Sequence, residues 1–302
     1  MSIAATTSRE ITQQLATGKS KDRTVGSLIF LGLLWFSLFF GVMVLLALII
    51  STAIKGATRF DGELITNYTS IVRPETAGFR AGILGSLWLM VFTALFAVPL
   101  GIAAALYLEE FANPDRVLNR FVEVNLQNLA AVPSIVYGLL AVAVMALIGF
   151  EDAGIVLGGA LALALLILPV IIITTREAVR AVPRDIRQGS LALGATVWQT
   201  TWRQTLPAAI PGIATGTILG LSRAIGEAAP LVVVGLAGSV LFDPEGMLSA
   251  VTALPMQIYS LTSQSREELQ QAASAAIIVL LVMILGLNAL AIYIRNKFQR
   301  SW

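Results

Sequence analysis

Residues 208–238 read AAIPGIATGTILGLSRAIGEAAPLVVVGLAG, an apolar run broken by only two charges, Arg223 and Glu227. A helix needs about 20 predominantly apolar residues to cross a bilayer, and this run is longer. It therefore reads as a membrane span with an ion pair near its middle. A charge at the bilayer centre costs about 2.5–3.5 kcal/mol on insertion scales, so such residues usually line a path or a site. At a spacing of four, Arg223 and Glu227 share a helix face and partly neutralise each other. The guanidinium offers a planar fork suited to an oxyanion. Twelve residues from Pro211 at 1.5 Å each place Arg223 roughly 18 Å along the helix, near mid-membrane.

The rest of the chain agrees with a lipid solvent. It has 302 residues, of which 57% are hydrophobic and 13% charged, and a mean hydropathy of +0.83. Soluble domains carry about 25% charged residues. There is no cysteine and no histidine, which excludes disulfides, thiol chemistry and the commonest metal ligand and proton shuttle. Thr17-Gly18-Lys19-Ser20 resembles the end of a phosphate loop, but Gln13 stands where the first glycine belongs and no strand precedes it.

Six segments are long and apolar enough to span: 27–54, 82–108, 124–149, 154–175, 208–238 and 272–294. Prolines 99, 133, 169 and 230 fall inside them and predict kinks. The fold predicted is an all-α integral membrane bundle of six helices over residues 27–302, after a polar tail at 1–26. Lysine and arginine set its orientation. With both termini in the cytoplasm, the inner side holds Arg9, Lys19, Lys21, Arg23, Arg116 and Arg120, the cluster Arg176, Arg180, Arg184, Arg187 and Arg203, and then Arg295, Lys297 and Arg300. The outer side holds only Lys55, Arg59, Arg73, Arg80 and Arg266. Cytoplasmic termini are predicted.

Further residues are singled out by spacing. Gly212, Gly216, Gly220, Ala224 and Ala228 form an i+4 row of small residues, suited to close helix packing within the bundle or against a partner. Arg223 lies about 60° around the helix from Gly220, so the charge flanks that seam. Ser134 and Tyr137 follow Pro133, near Asn125, Gln127 and Asn128, and are candidates for lining a path or tying helices. Ser222 adjoins Arg223. Between the fourth and fifth spans, a cytoplasmic loop at about 176–207 suits helix, with Gly194 dividing two short halves and Trp198 and Trp202 on one face. Such a loop suggests docking onto a separate motor.

That loop resembles the permease subunits of binding-protein-dependent ABC importers, whose loop follows E-A-A-x3-G-x9-I-x-L-P. With Gly194 as the glycine, Leu206 and Pro207 are in register. Gln188, Gly189 and Ser190 replace E-A-A, and Gln204 replaces the isoleucine. Val132-Pro-Ser-Ile-Val-Tyr-Gly138 and Ser222-Arg-Ala-Ile-Gly-Glu-Ala-Ala-Pro-Leu231 resemble the phosphate-specific transport permeases. Thr252-Ala-Leu-Pro-Met-Gln-Ile-Tyr259 resembles their PstA branch rather than the sister PstC branch.

The resemblance implies a six-helix ABC importer permease of a prokaryotic inner membrane, with a coupling-helix loop. Gln188, Gly189, Ser190, Leu191, Gly194, Leu206 and Pro207 would form the ATPase-coupling segment, and Arg223, Glu227, Ser222, Ser134 and Tyr137 the translocation path. It implies a sister permease, a cytoplasmic ATPase dimer and an external phosphate-binding protein as partners. ATP and magnesium would sit on the ATPase, with no cofactor and no catalysis on this chain. Two alternatives are a permease for another oxyanion or phosphonate, and an ion-coupled carrier with Glu227 as its proton site. A carrier of that kind often shows internal repeats, and no clear repeat is visible. A membrane enzyme would need a nucleophile–base set or a metal cluster, and neither is evident.

Overall fold

The computed structural model describes residues 25–70, 72–113 and 116–298. The tail up to residue 24, with its four basic residues and Thr17–Ser20, lies outside the described residues, as do Pro114, Asp115 and Arg300. The chain forms two compact units that divide between Ser51 and Thr52. The described part of the first is helix α1, Val25–Gly56, whose last turn belongs to the second. It is apolar on every face, as a helix surrounded by lipid or protein must be.

The second unit is built on α2 (Arg80–Leu106), α3 (Val117–Leu129), α4 (Ser134–Leu147) and α5 (Val156–Arg180). There follow α6 (Arg184–Ala192), α7 (Val197–Ile225), α8 (Ala229–Val234), α9 (Leu254–Thr262) and α10 (Glu267–Phe298). Helix α5 is the centre, with α2, α4 and α7 packed on it and Val156, Leu163, Ile167 and Ile171 fully buried. Lipid supplies no hydrophobic drive between spans, so close approach at small residues does the joining. Gly101 lies under Ile171, and Gly159 under Leu89. Among the described residues there is no named strand, only an isolated bridge between Ile155 and Ala250.

Five single helices are long and apolar enough to cross a membrane, and α3 with α4 makes a sixth span if counted together. The predicted third segment, 124–149, is thus not one helix. It bends by 118° between Leu129 and Ser134, where Pro133 stands at the N-cap of α4. The fifth segment is also displaced. It begins at Val197 rather than 208 and ends at Ile225 rather than 238. Pro230 has no N–H to give the Gly226 carbonyl, and its ring would crowd that carbonyl, so the helix stops and restarts as α8. Of the four prolines expected to kink spans, Pro99 and Pro169 lie inside helices, whereas Pro133 and Pro230 mark breaks.

The loop expectation also changes in its second half. Gly194, at φ +85°, does separate two helices. The second is no short piece, since α7 runs from Val197 through Pro207 and on into the span. Just before Pro207, Thr201–Thr205 widens into a π turn. A π turn is one way for a helix to accommodate a residue that lacks an N–H.

Candidate functional site

Arg223 occupies the last turn of α7, where a cation meets the free carbonyls of the helix end. Glu227 stands just beyond, in the break before α8, with Arg223 Nε 3.4 Å from its Oε1. The pair is not covered by the chain, because Arg223 is 45% and Glu227 24% exposed. The neighbouring row is covered. A β-carbon at Gly216 would meet Thr174, one at Gly212 would meet Ala178, and Gly220 lies against Ile171 and Ile167. The small-residue seam is therefore filled by α5, while Arg223, 60° away, faces outward. A cavity of about 1200 Å³ lies between α2, α7 and α10 and is lined by Ile102, Leu206, Ile210, Leu221 and Arg295. Neither Arg223 nor Glu227 lines it.

The two helix breaks are neighbours. Gly138 of α4 lies so close to Pro230 of α8 that a β-carbon would sit 2.6 Å from the Pro230 carbonyl oxygen. Tyr137 is buried, and its hydroxyl donates to the Leu129 carbonyl at 2.6 Å. That carbonyl also accepts the Val132 N–H at 3.0 Å, so the hydroxyl ties α4 to the turn that ends α3. Arg223 lies within electrostatic reach of Tyr137. Ser134 is half-buried at the first turn of α4. Ser222 points elsewhere, with its hydroxyl bonded to Ile218 O and to Asn288 Oδ1 of α10. Asn125 donates to Phe121 O on its own helix at 2.8 Å. Arg223 and Glu227 thus stand at one break and Ser134 and Tyr137 at the other, the two breaks meeting where Gly138 approaches Pro230, while Ser222 ties two helices.

On the opposite side of Gly194, helix α6 presents Gln188, Gly189 and Leu191 exposed and Ser190 half-buried. Ser190 Oγ lies 2.9 Å from Thr200 Oγ1, holding the two arms of the loop together. Thr196 and Gln199 form a capping box that starts α7. A cleft of about 470 Å³ between the arms is bordered by Gly189, Ser190, Gln199 and Arg203. Leu206 joins an apolar cluster with Leu106, Val179 and Val182, and Pro207 is exposed. Trp198 and Trp202 stack at 5.7 Å.

Several charged partners were not apparent from the sequence. Helix α2 continues as a π turn, Tyr107–Phe111. Its Glu109 pairs with Arg176 at 3.2 Å and Arg180 at 2.7 Å, while Glu123 of α3 meets Arg176 at 2.8 Å. Glu110 pairs with Arg187 at 3.1 Å. Arg176 and Arg180 thus join three helices as well as carrying positive charge, while Arg184 is exposed. At the other end, Arg80 pairs with Asp243 at 2.6 Å, and the Tyr68 hydroxyl bonds the same carboxylate. The hydrogen bond from Arg80 holds the Asp243 carboxyl below the usual carboxylate range. Among the described residues, no three metal-ligating side chains are grouped to hold a metal ion.

The sequence pattern of the family described as "Binding-protein-dependent transport system inner membrane component" matches residues 97–301. The chain belongs to this family. It is similar to the "Phosphate transport system permease protein PstA" of Mycobacterium leprae (strain TN), at 36% identity over 252 residues, 81% of this chain and 79% of the relative. The PstA protein of Yersinia pestis is 31% identical over 257 residues, covering 84% and 85%. Among solved structures, a bacterial ABC transporter for import of the acidic polysaccharide alginate gives a TM-score of 0.63. That likeness covers 95% of this chain and all of the other at 18% identity, and it establishes the fold. The paired breaks, the uncovered ion pair and the loop around Gly194 are therefore features of a multi-pass membrane transport component.

Proposed function

We propose that this chain is the permease subunit of an ATP-driven phosphate importer, with its ion path at the breaks near Arg223 and Glu227. The observation that carries the reading is the uncovered ion pair at a helix end in a chain 31–36% identical to PstA proteins over most of its length. Arg295, near the end of α10, donates to Thr215 at 3.0 Å. If that contact lies at the cytoplasmic surface, Arg223 is eight residues, about 12 Å, deeper. That depth approaches the middle of a hydrocarbon core about 30 Å thick.

In this reading the Arg223 guanidinium meets the phosphate oxygens, and Glu227 keeps the cation partly neutralised so that the anion also leaves. Ser134 and Tyr137 shape the path from the facing break. A sister permease covers the exposed side of Arg223 and completes the path. Helix α6, through Gln188, Gly189, Ser190 and Leu191, docks on a cytoplasmic ATPase dimer carrying ATP and magnesium, with Gly194, Leu206 and Pro207 holding the loop in shape. A phosphate-binding protein delivers the ion from outside. The termini lie in the cytoplasm, as the distribution of lysine and arginine favours.

Replacing Arg223 by Gln in the assembled transporter tests the path. A hydrogen bond to a charged group contributes about 1.5–3 kcal/mol, so phosphate uptake should fall roughly 10–100-fold with assembly intact. Uptake equal to the parent would refute the role of Arg223. A guanidinium fork suits other tetrahedral oxyanions equally, so competition by sulfate, molybdate or phosphonate would move the substrate assignment.

A further inference from the structure

The π turn Tyr107–Phe111 touches more of the cytoplasmic side than its five residues suggest. Glu109 is gripped by Arg176 and Arg180 of α5, and Glu123 of α3 closes on the same two guanidiniums at 2.8 and 3.7 Å. Glu110 turns the other way, to Arg187 of α6. Arg187 also donates to the Val179 carbonyl of α5 at 2.5 Å. Phe111 lies against Trp198 at the start of α7, ring centres 6.0 Å apart. One turn thus contacts both arms of the loop and, through shared arginines, α3.

Burial stiffens the centre of this cluster. Glu109 and Arg176 are 15% and 12% exposed, so their attraction is poorly screened by solvent and salt. The more exposed Glu123, at 41%, is held by two arginines. One joint is looser. The ion pair at 3.1 Å runs from Arg187 Nη2, which is bonded to Val179 O, to Glu110 Oε1, and both that oxygen and Arg187 Nε are buried without a hydrogen-bond partner. A small movement of α6 can align or part them, and a buried polar group gains when it is satisfied. Glu123 lies seven residues, about 10 Å, before the break that follows Ala130. π turns inside α-helices are often found at functional sites.

We propose that Glu110 and Arg187 are positioning residues that pass movement of α6 to the π turn, and that the Glu109–Arg176–Glu123 cluster carries it along α3 to the break at 130–133. The inference rests on reading α6 as the docking element and that break as part of the path. It adds a transmission route outside the loop itself. A stiff cluster beside a loose joint moves as a unit when the joint is pushed.

The complete transporter, with its partner subunits and ATPase in proteoliposomes, tests the route. Glu110→Gln and Arg187→Gln should continue to hydrolyse ATP, while phosphate taken up per ATP falls by roughly 5-fold or more, the lower edge of ordinary coupling between sites. Combining Glu110→Arg with Arg187→Glu should restore part of the loss. Unchanged uptake per ATP in both single variants overturns the proposal. If Glu110→Gln fails to assemble, Glu110→Asp takes its place, because it keeps the charge and shortens the reach.

A second readout separates this route from the reading beneath it. The chain has no cysteine, so Val132→Cys gives it a single thiol at the break. Modification of this chain, resolved from its partners by mass, reports that position through its rate with a water-soluble thiol reagent. In Val132→Cys with no other change that rate should differ between nucleotide-free and vanadate-trapped states, and with Glu110→Gln added the difference should vanish. An equal difference in both overturns the joint. No difference in Val132→Cys alone refutes the break as part of the path, and the proposed route falls with it.

Discussion

Replacing Gly138 by Ala should disturb transport from a position that carries no charge. The added β-carbon would lie 2.6 Å from the Pro230 carbonyl oxygen, 2.9 Å from Val233 Cβ and 3.0 Å from Pro230 Cα. Two of these neighbours are backbone and cannot rotate away. Carbon contacts settle at about 3.5–4.0 Å, so α8 must retreat by roughly 0.5–1 Å. Overpacking of that kind costs about 1–3 kcal/mol, offset by the 0.5–1 kcal/mol or so that Ala gains over Gly in a helix.

Gly220→Ala on α7 is the matched control. Its nearest neighbour would be Ile171 Cγ1 at 3.5 Å, an ordinary contact, so only the helix gain of about 0.5–1 kcal/mol remains. The two variants should differ by about 1–3 kcal/mol. Thermal unfolding of the purified complex, followed by size-exclusion chromatography, should separate them by several degrees, at roughly 2–4 °C per kcal/mol. Because α8 follows directly on Glu227, uptake should fall in Gly138→Ala and persist in Gly220→Ala. Equal stability and equal uptake in the pair would refute the claimed contact between the two breaks.

Arg176→Gln should destabilise the cytoplasmic side, because it leaves Glu109 and Glu123 facing each other with Arg180 alone. Removing one partner of a buried pair costs roughly 3–5 kcal/mol, and the surviving arginine keeps this case at the lower end; a thermal melt checks it. Gly194→Ala should cost about 1–2 kcal/mol from backbone strain at φ +85°, since nothing crowds the position; limited proteolysis of the loop would reveal it. Asp243 has a depressed folded pKa, so its contribution is fully present above its unfolded value of about 3.9 and is lost as pH falls through the folded one. Its link to Arg80 should therefore be insensitive between pH 5 and 8 and should open only in stronger acid, as hydrogen exchange around Tyr68 would report.

The spans were legible because lipid demands long apolar runs, and the runs are there. Their ends were harder to see. Thr200, Thr201 and Thr205 were read as part of a short helical half of the loop, yet all three are buried in one helix that runs on into the span. The capping box of Thr196 and Gln199 was the available signal for that start. Pro230 signalled a kink, but its missing N–H ends the helix outright and leaves it in the first turn of α8, against Gly138. Arg223 and Glu227 stood out because charge is rare in lipid. Asn288, which holds Ser222, is a lone polar residue in an apolar segment and could have been found the same way. The partners of Arg176 and Arg187 could not, since sequences separated by more than fifty residues meet there only through tertiary packing.

The most direct measurement of the central claim is uptake of radiolabelled phosphate into proteoliposomes holding this chain and its co-purifying partners. It is run with and without ATP, and with unlabelled phosphate, sulfate, molybdate and phosphonate as competitors. The account predicts uptake that requires ATP and the ATPase, and that only unlabelled phosphate suppresses. Uptake that persists without ATP, or that another anion suppresses equally well, would contradict it.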